Sequence, residues 1–241
     1  MPRAQEVPTT PTPLPQVAPS GNETCWSMID RAARGDPQAR AAFARAYLDV
    51  VRRTLHLRWR GGSLEQSVED AVQDVFLDCL KQRGALTRVQ AGRHGGFGAF
   101  LHGVVANVAR RYERSRGRHG ARQKPLAAEV SDRAPSLGQA FDQAWLQHLL
   151  GLAVANLRGT ADDEEAHRRL ELLSLRFGDG LALREIAARW QCDPTELHVA
   201  YARARREFGR ALRGVLREHL AEGEVASDAA LDERLAEMLG E

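Results

Sequence analysis

Arginine side chains recur along one stretch of the sequence at a spacing suited to binding an anion. Between residues 203 and 217 there are six arginines and one glutamate. Five of the arginines follow one another at intervals of three or four residues: Arg203, Arg206, Arg210, Arg213 and Arg217. On a helix this spacing forms one stripe, and the like charges in it repel each other. The arginine stripe therefore predicts an anionic partner such as nucleic acid. The alternative is a helix face whose arginines are only solvated.

A short helix, a tight turn and a capped second helix are predicted to hold this stripe. The first helix has its apolar face at Leu183, Ile186, Ala187 and Trp190. After the turn, Asp193 is expected to cap the second helix ahead of Pro194, with Glu196 returning a bond as in a capping box. This order is typical of a helix-turn-helix motif, whose second helix directs its first exposed residues at base edges. Those residues are Thr195, Glu196, His198 and Val199.

A predicted helix that begins near Ser67 carries a surface of the opposite charge. The residues that face away from its apolar stripe are Asp70, Gln73, Asp74, Leu77 and Asp78. An acidic face with one exposed leucine suits a basic partner helix, and an ordinary solvated face is the alternative.

The next predicted helix ends in a basic run. Residues 110–124 contain seven basic residues and one glutamate. Aromatic rings beside arginines suit single-stranded nucleic acid, because bases stack on the rings while arginines neutralise phosphates. The surface candidates are His102, Asn107, Arg110, Arg111, Tyr112 and Arg114. Phe97 and Phe100 lie on the apolar side of this helix and are assigned to the core.

Composition and motifs argue against several classes of protein. The net charge is only +2, so a nucleic-acid role depends on local patches. The sequence lacks His-Glu-x-x-His, a phosphate loop and Gly-x-Ser-x-Gly, so we predict no catalysis, no metal and no cofactor. No apolar run approaches the roughly 20 residues that span a bilayer. The three cysteines are far apart and odd in number, which argues against a disulfide framework, and the N-terminus lacks a hydrophobic signal region. We therefore expect a cytoplasmic protein without a membrane partner.

Helical periodicity dominates the rest of the chain, and the predicted fold class is all-α, with two helical domains joined by a flexible linker. Residues 1–24 hold six of the ten prolines and are predicted to be a disordered tail. The first domain spans residues 25–116, the linker 117–138 and the second domain 139–217. Residues 218–241 contain eight acidic residues and one arginine, which predicts a short helix or a solvated acidic extension.

Four stretches, in order, resemble the bacterial RNA polymerase sigma factors of the extracytoplasmic-function type. GDPQARAAFARAYLDVVRR is similar to the opening helix of the family's region 2, and DAVQDVFLDCLKQ to its polymerase-binding helix. FGAFLHGVVANVARRYERSR resembles the promoter-melting helix, with Asn107 where asparagine is typical. LELLSLRFGDGLALREIAARWQCDPTELHVAYARARREF resembles region 4. The resemblance covers about residues 25–116 and 140–217.

The resemblance implies an adaptor that binds core RNA polymerase and promoter DNA. The face that includes Asp70, Gln73, Asp74 and Leu77 would bind the clamp coiled coil of the polymerase's largest subunit. The second helix of the helix-turn-helix would read the minus-thirty-five element in the major groove. The basic helix and the glycine-rich loop before it, RGALTRVQAGRHGG at residues 83–96, would capture unpaired minus-ten bases. Whether an anti-sigma factor is a further partner is left open.

This sequence departs from the family pattern at several positions. Gln191 stands in the turn where glycine is usual, and His198, Val199 and Ala200 stand where Lys, Ser and Arg are frequent. The melting helix has Gly103 and Ala106 at positions that are commonly basic. These departures bear on the promoter sequence more than on polymerase binding.

Two further hypotheses follow from the residues. The chain is alternatively a helix-turn-helix DNA-binding regulator that never engages polymerase, and the Asp70–Asp78 face distinguishes the two functions. Charge alone also suggests that the acidic extension folds back on the arginine stripe and masks it, with a solvated tail as the alternative.

Overall fold

The computed structural model describes residues 25–89, 95–120, 134–220 and 227–239, and all regular structure within these ranges is helical. This confirms the predicted all-α class. The α-helices of the described residues are α1 (Cys25–Ala33), α2 (Pro37–Trp59), α3 (Val68–Leu80), α4 (Gly96–Gly120), α5 (Leu137–Thr160), α6 (Glu164–Leu173), α7 (Leu183–Trp190), α8 (Pro194–His219) and α9 (Asp228–Leu239). Short 3-10 turns at Glu65–Ser67 and Ala85–Arg88 flank α3, and a π-helical turn at Ser174–Gly178 follows α6.

Polar side chains fix the starts of several helices. Asp36 directly before Pro37 is the sequence signal of a capped helix start, and the Asp36 carboxylate does accept hydrogen bonds from the backbone N–H groups of Gln38 and Ala39. Ser136 and Gln139 form a reciprocal capping box on α5. Such caps satisfy backbone donors that a helix start otherwise leaves without partners.

The larger hydrophobic core gathers aromatic rings from both predicted domains. Phe43 and Tyr47 of α2 lie against Phe97 of α4, with ring centroids 6.0 and 4.8 Å away from that ring. Trp145 of α5 stacks on Tyr47 at 6.2 Å. The distal half of α8 joins the same core through Leu212, Val215 and Leu216. Helix α5 therefore packs mainly on α2 and on α8.

A smaller core holds the helix-turn-helix region. It is formed by Leu172, Leu175, Ile186, Ala187 and Leu197. Helix α8 passes from this small core at its start to the larger core at its end. This one helix therefore links the two cores.

The two-domain arrangement stays a prediction. The predicted tail at 1–24 and most of the linker, residues 121–133, lie outside the described residues, and α4 runs through Gly120 into the range assigned to the linker. Residues 228–239 of the acidic extension form α9, in agreement with the predicted short helix.

Close approach of α4 to α5 depends on a residue without a side chain. A Cβ atom on Gly98 would lie 2.9 Å from Cε2 of Trp145, which is closer than packed carbon atoms approach. The missing side chain lets the indole ring lie directly on the α4 backbone.

A chain of polar groups crosses the larger core where α1, α2 and α8 meet. The Cys25 thiol is hydrogen-bonded to the Tyr47 hydroxyl at 2.9 Å, and the Tyr47 hydroxyl lies 3.4 Å from Nε2 of His219. Nδ1 of His219 donates to the Val215 carbonyl at 2.8 Å, so Nε2 of a neutral ring is free to accept. Burial raises the pKa of Cys25 to about 12, so the thiol stays protonated.

His148 on α5 lies beside the polar groups of Cys25, Tyr47 and His219, but unlike them its ring lacks a full set of hydrogen bonds among the described residues. Its Nε2 atom is buried and has no hydrogen-bond partner in the part of the chain that the structure describes. Burial, with a smaller effect of His219, lowers the pKa of His148 to about 3, and burial also lowers the pKa of His219. The unfolded chain therefore binds more protons than the folded chain below about pH 6.5, and stability falls as the pH drops through this window.

We predict that acidification from pH 7 to pH 5 lowers the free energy of unfolding, with His148 contributing up to about 2 kcal/mol. The substitution His148→Phe keeps a ring in place but cannot bind a proton, so it should flatten this dependence and stabilise the protein at pH 5. Urea unfolding at several pH values measures the effect. His56 is exposed, and His56→Phe is the matched control. If the free energy of unfolding changed equally with pH in the two variants, the prediction would be contradicted.

Candidate nucleic-acid interface

The predicted helix-turn-helix is present as α7, a three-residue turn and α8. Gln191 ends α7 in the left-handed conformation, at φ 51° and ψ 44°. The N–H of Cys192 donates to the Ala187 carbonyl at 3.1 Å, which closes the turn. Ile186 and Leu197 share the small core, so the angle between α7 and α8 is held by apolar contact.

Asp193 caps α8 as predicted, but the full capping box is not formed. The Asp193 carboxylate accepts from the N–H groups of Thr195 at 2.7 Å and Glu196 at 3.2 Å. Both bonds lower the pKa of Asp193, and the bond from Glu196 has the larger effect. The return bond expected from the Glu196 side chain is absent among the described contacts, and that side chain is exposed to solvent. The prediction of a reciprocal bond was therefore wrong, and the cap depends on Asp193 alone.

The first two turns of α8 present an open surface. The residues predicted to read bases are all exposed: Thr195, Glu196, His198 and Val199. Val199 has 67% of its surface exposed, although it lies on the same helix as buried Leu197. An exposed branched apolar side chain beside polar ones suits contact with base edges and methyl groups in a major groove.

The arginine stripe divides into three parts according to what its members contact. Arg203 donates to Glu207 at 3.0 Å. Arg206 and Arg210 are exposed and have no ion pair with any described residue. Arg213 and Arg217 lie 2.8 Å from carboxylates of α9. None of the five is buried in the protein interior.

Arg169 of α6, which is not among the predicted site residues, links the helix-turn-helix to the helix before it. It pairs with Glu207 at 2.9 Å and with Glu165 at 3.3 Å, and only 11% of its side chain is exposed. Burial alone would raise the pKa of Glu207. Hydrogen bonds from Arg169 and Arg203 outweigh burial, and the pKa of Glu207 is lowered. The spacing of Glu165 and Arg169, four residues apart on one helix, is the signal that could have indicated part of this network.

The acidic face of α3 has an exposed part and a paired part. Asp70 and Gln73 are exposed, and Leu77 has 62% of its surface exposed. Asp74 and Asp78 are half-buried and form ion pairs inside the chain. Lys81 accounts for most of the lowering of the Asp78 pKa, with a smaller contribution from Arg111.

Two residues predicted to contact DNA form hydrogen bonds with this acidic face. Arg111 donates to Asp74 at 3.1 Å and to Asp78 at 3.3 Å. The Tyr112 hydroxyl donates to Asp74 at 3.1 Å. These bonds tie α4 to α3, so Arg111 and Tyr112 orient the acidic face in this conformation.

The remaining predicted residues of α4 lie on its surface. Asn107, Arg110 and Arg114 are exposed at helical spacing, and Arg114 donates to the Arg110 carbonyl at 3.1 Å. His102 is only half-exposed, because its ring lies 5.0 Å from the ring of Phe141 on α5. The structure thus brings Asn107, Arg110 and Arg114 together and leaves His102 against α5.

No protein-family model and no curated protein matches this sequence. Within the described ranges there is no group of three or more side chains that could hold a metal ion. No helix of those ranges is both long enough and apolar enough to cross a membrane.

We predict that Gln191→Gly stabilises the protein by about 1 kcal/mol, because glycine adopts the left-handed conformation without the steric cost that glutamine has there. Thermal unfolding measures the effect. Gln66→Gly, at an exposed position in a right-handed turn, should destabilise instead. A lower melting temperature for Gln191→Gly would contradict this account of the turn.

We also predict that Arg206→Gln with Arg210→Gln weakens duplex DNA binding and reduces the slope of log K against log salt by about 2, since about 0.9 is lost for each phosphate contact. Fluorescence anisotropy over a salt series measures this slope. Arg45→Gln with Arg158→Gln removes two exposed arginines from other helices and should leave the slope unchanged. Equal slopes in the two double variants would exclude the α8 surface as the contact.

Proposed function

We propose that this chain is a bacterial sigma factor of the extracytoplasmic-function type, which binds core RNA polymerase and directs promoter recognition and DNA melting in the cytoplasm. The observation that carries the proposal is the exposed start of α8. It is capped by Asp193, carries exposed Val199, and is followed by Arg206 and Arg210 without anionic partners among the described residues.

Promoter reading is assigned to α7 and α8. A major groove is about 12 Å wide and accepts one helix. The start of α8 would enter the groove with Thr195, Glu196, His198 and Val199 toward the bases. Arg206 and Arg210 lie two to four turns further along and would contact the phosphate backbone, which positions the helix without reading sequence.

Polymerase binding is assigned to the exposed part of the α3 face. Leu77 is an exposed leucine flanked by exposed Asp70 and Gln73 and by half-buried Asp74 and Asp78. An apolar side chain surrounded by charged ones matches the general build of protein interfaces, in which a hydrophobic core lies within a polar rim. The resemblance of this helix to the family's polymerase-binding helix implies the clamp coiled coil as its partner.

Strand capture is assigned to α4. Asn107, Arg110 and Arg114 provide an amide and two guanidinium groups on one exposed face. Unstacking a base step costs a few kcal/mol, and contacts to the displaced strand offset part of that cost. One chain with two DNA-binding surfaces also gains affinity, because binding at one surface raises the effective concentration of the other.

The alternative function is a helix-turn-helix regulator that does not bind polymerase. One observation favours it: Asp74 and Asp78 are already paired with Arg111, Tyr112 and Lys81, as on an ordinary solvated surface. The two functions share the α8 surface and differ only in the use of α3.

Leu77 and Val199 provide a matched test, because both are aliphatic, on a helix and about two-thirds exposed. We expect Leu77→Asp to weaken binding to core polymerase about tenfold or more and to leave duplex binding unchanged. Val199→Asp should leave polymerase binding intact and abolish promoter-specific initiation. Polymerase binding is measured with purified core enzyme, and initiation by run-off transcription from a genomic promoter library.

The outcomes separate the two functions. Loss of polymerase binding in Leu77→Asp alone, with initiation at a shared promoter motif by the wild-type chain, supports the sigma-factor proposal. If the wild-type chain binds DNA but not core polymerase, the proposal is overturned in favour of the regulator.

A further inference from the structure

Helix α9 covers the far end of the arginine stripe. Arg213 lies 2.8 Å from Asp232, and Arg217 lies 2.8 Å from Asp228. Both the arginines and the aspartates are four residues apart, and the order is reversed, so one turn of α9 is paired antiparallel with one turn of α8. The charge on this part of the stripe is therefore matched by the chain's own carboxylates.

An apolar anchor holds α9 in this position. Leu231 is 1% exposed and belongs to the larger core, together with Leu212, Val215 and Leu216 of α8. Ion pairs between exposed side chains are weak when they stand alone. Here Leu231 lies between the two aspartates in sequence, so its burial brings both carboxylates to the arginines.

The covered arginines continue the face that the free arginines form. At 100° per residue, Arg206, Arg210, Arg213 and Arg217 fall within about 60° around the helix axis, and they extend along about 16 Å. That length is comparable to several backbone phosphates of one DNA strand. Half of this surface is open in the described structure, and half is paired with α9.

We propose that α9 competes with DNA for Arg213 and Arg217, and that its release doubles the number of arginines that α8 offers to the phosphate backbone. This inference rests on the proposed function, because it assumes that Arg206 and Arg210 contact DNA. In the free chain α9 then weakens binding to non-promoter DNA, and a stronger competitor for α9 or for the stripe removes the restraint.

The test uses the full chain and a mixed-sequence 30-base-pair duplex, with anisotropy measured over a salt series. Asp228→Asn with Asp232→Asn removes the two carboxylates and keeps Leu231 in the core. Glu233→Gln with Asp142→Asn is the matched control. It also removes two negative charges, one of them from α9, but leaves both ion pairs intact. We expect several-fold tighter binding at low salt and a slope of log K against log salt that is steeper by up to about 1.8 in the first variant relative to the control.

A second pair of variants identifies the arginines responsible. Arg213→Gln with Arg217→Gln should change binding little in the wild-type background, where these arginines are paired. The same substitutions should cancel the gain when Asp228 and Asp232 are already asparagine. An equal effect in both backgrounds would overturn the proposal.

The failures of the two proposals are distinguishable. If Arg206→Gln with Arg210→Gln weakens binding but the asparagine variant behaves like its control, competition by α9 is wrong and the DNA-binding role of α8 stands. If the duplex is bound without any dependence on Arg206 and Arg210, or is not bound by any variant, both proposals fail.

Discussion

Burial of Tyr47 of α2, where α1, α4, α5 and α8 also meet, is the constraint on which the rest of this structure depends. Its ring contacts Phe97 of α4, Trp145 of α5 and His219 of α8, and its hydroxyl lies between Cys25 and His219. A buried hydroxyl needs a hydrogen-bond partner. The ring contacts of Tyr47 and the hydrogen bonds of its hydroxyl therefore both constrain how these helices pack. The distal end of α8 is held there, and its exposed start is positioned from that anchor.

Electrostatic pairing then divides the basic residues into structural ones and available ones. Arg111 and Arg203 are satisfied by carboxylates of their own chain, whereas Arg110, Arg206 and Arg210 have no such ion pair in the described ranges. A stripe of charge is therefore not a uniform binding surface. Its members without an ion pair among the described residues are Arg206 and Arg210, and these are the ones available to an external anion.

Much of the local structure followed from the sequence, because it depends on neighbouring residues. The Asp36 and Asp193 caps, the apolar periodicity of α2 to α4 and the α7–turn–α8 order are all decided within a few positions. The packing of α5 onto α4 was not predictable in this way. It depends on Gly98 leaving space for Trp145, which are 47 positions apart, and no local pattern links them. The same holds for Arg111, whose partners Asp74 and Asp78 lie on another helix.

The uninterrupted course of α8 has a mechanical consequence. The helix has 26 residues and is held in the larger core at one end, while its opposite end carries the side chains aimed outward. At about 1.5 Å per residue the exposed start lies roughly 30 Å from the held end, so a tilt of about 10° displaces it by about 5 Å, or more than one base-pair rise. Small rearrangements around Tyr47 would thus be amplified along a rigid lever.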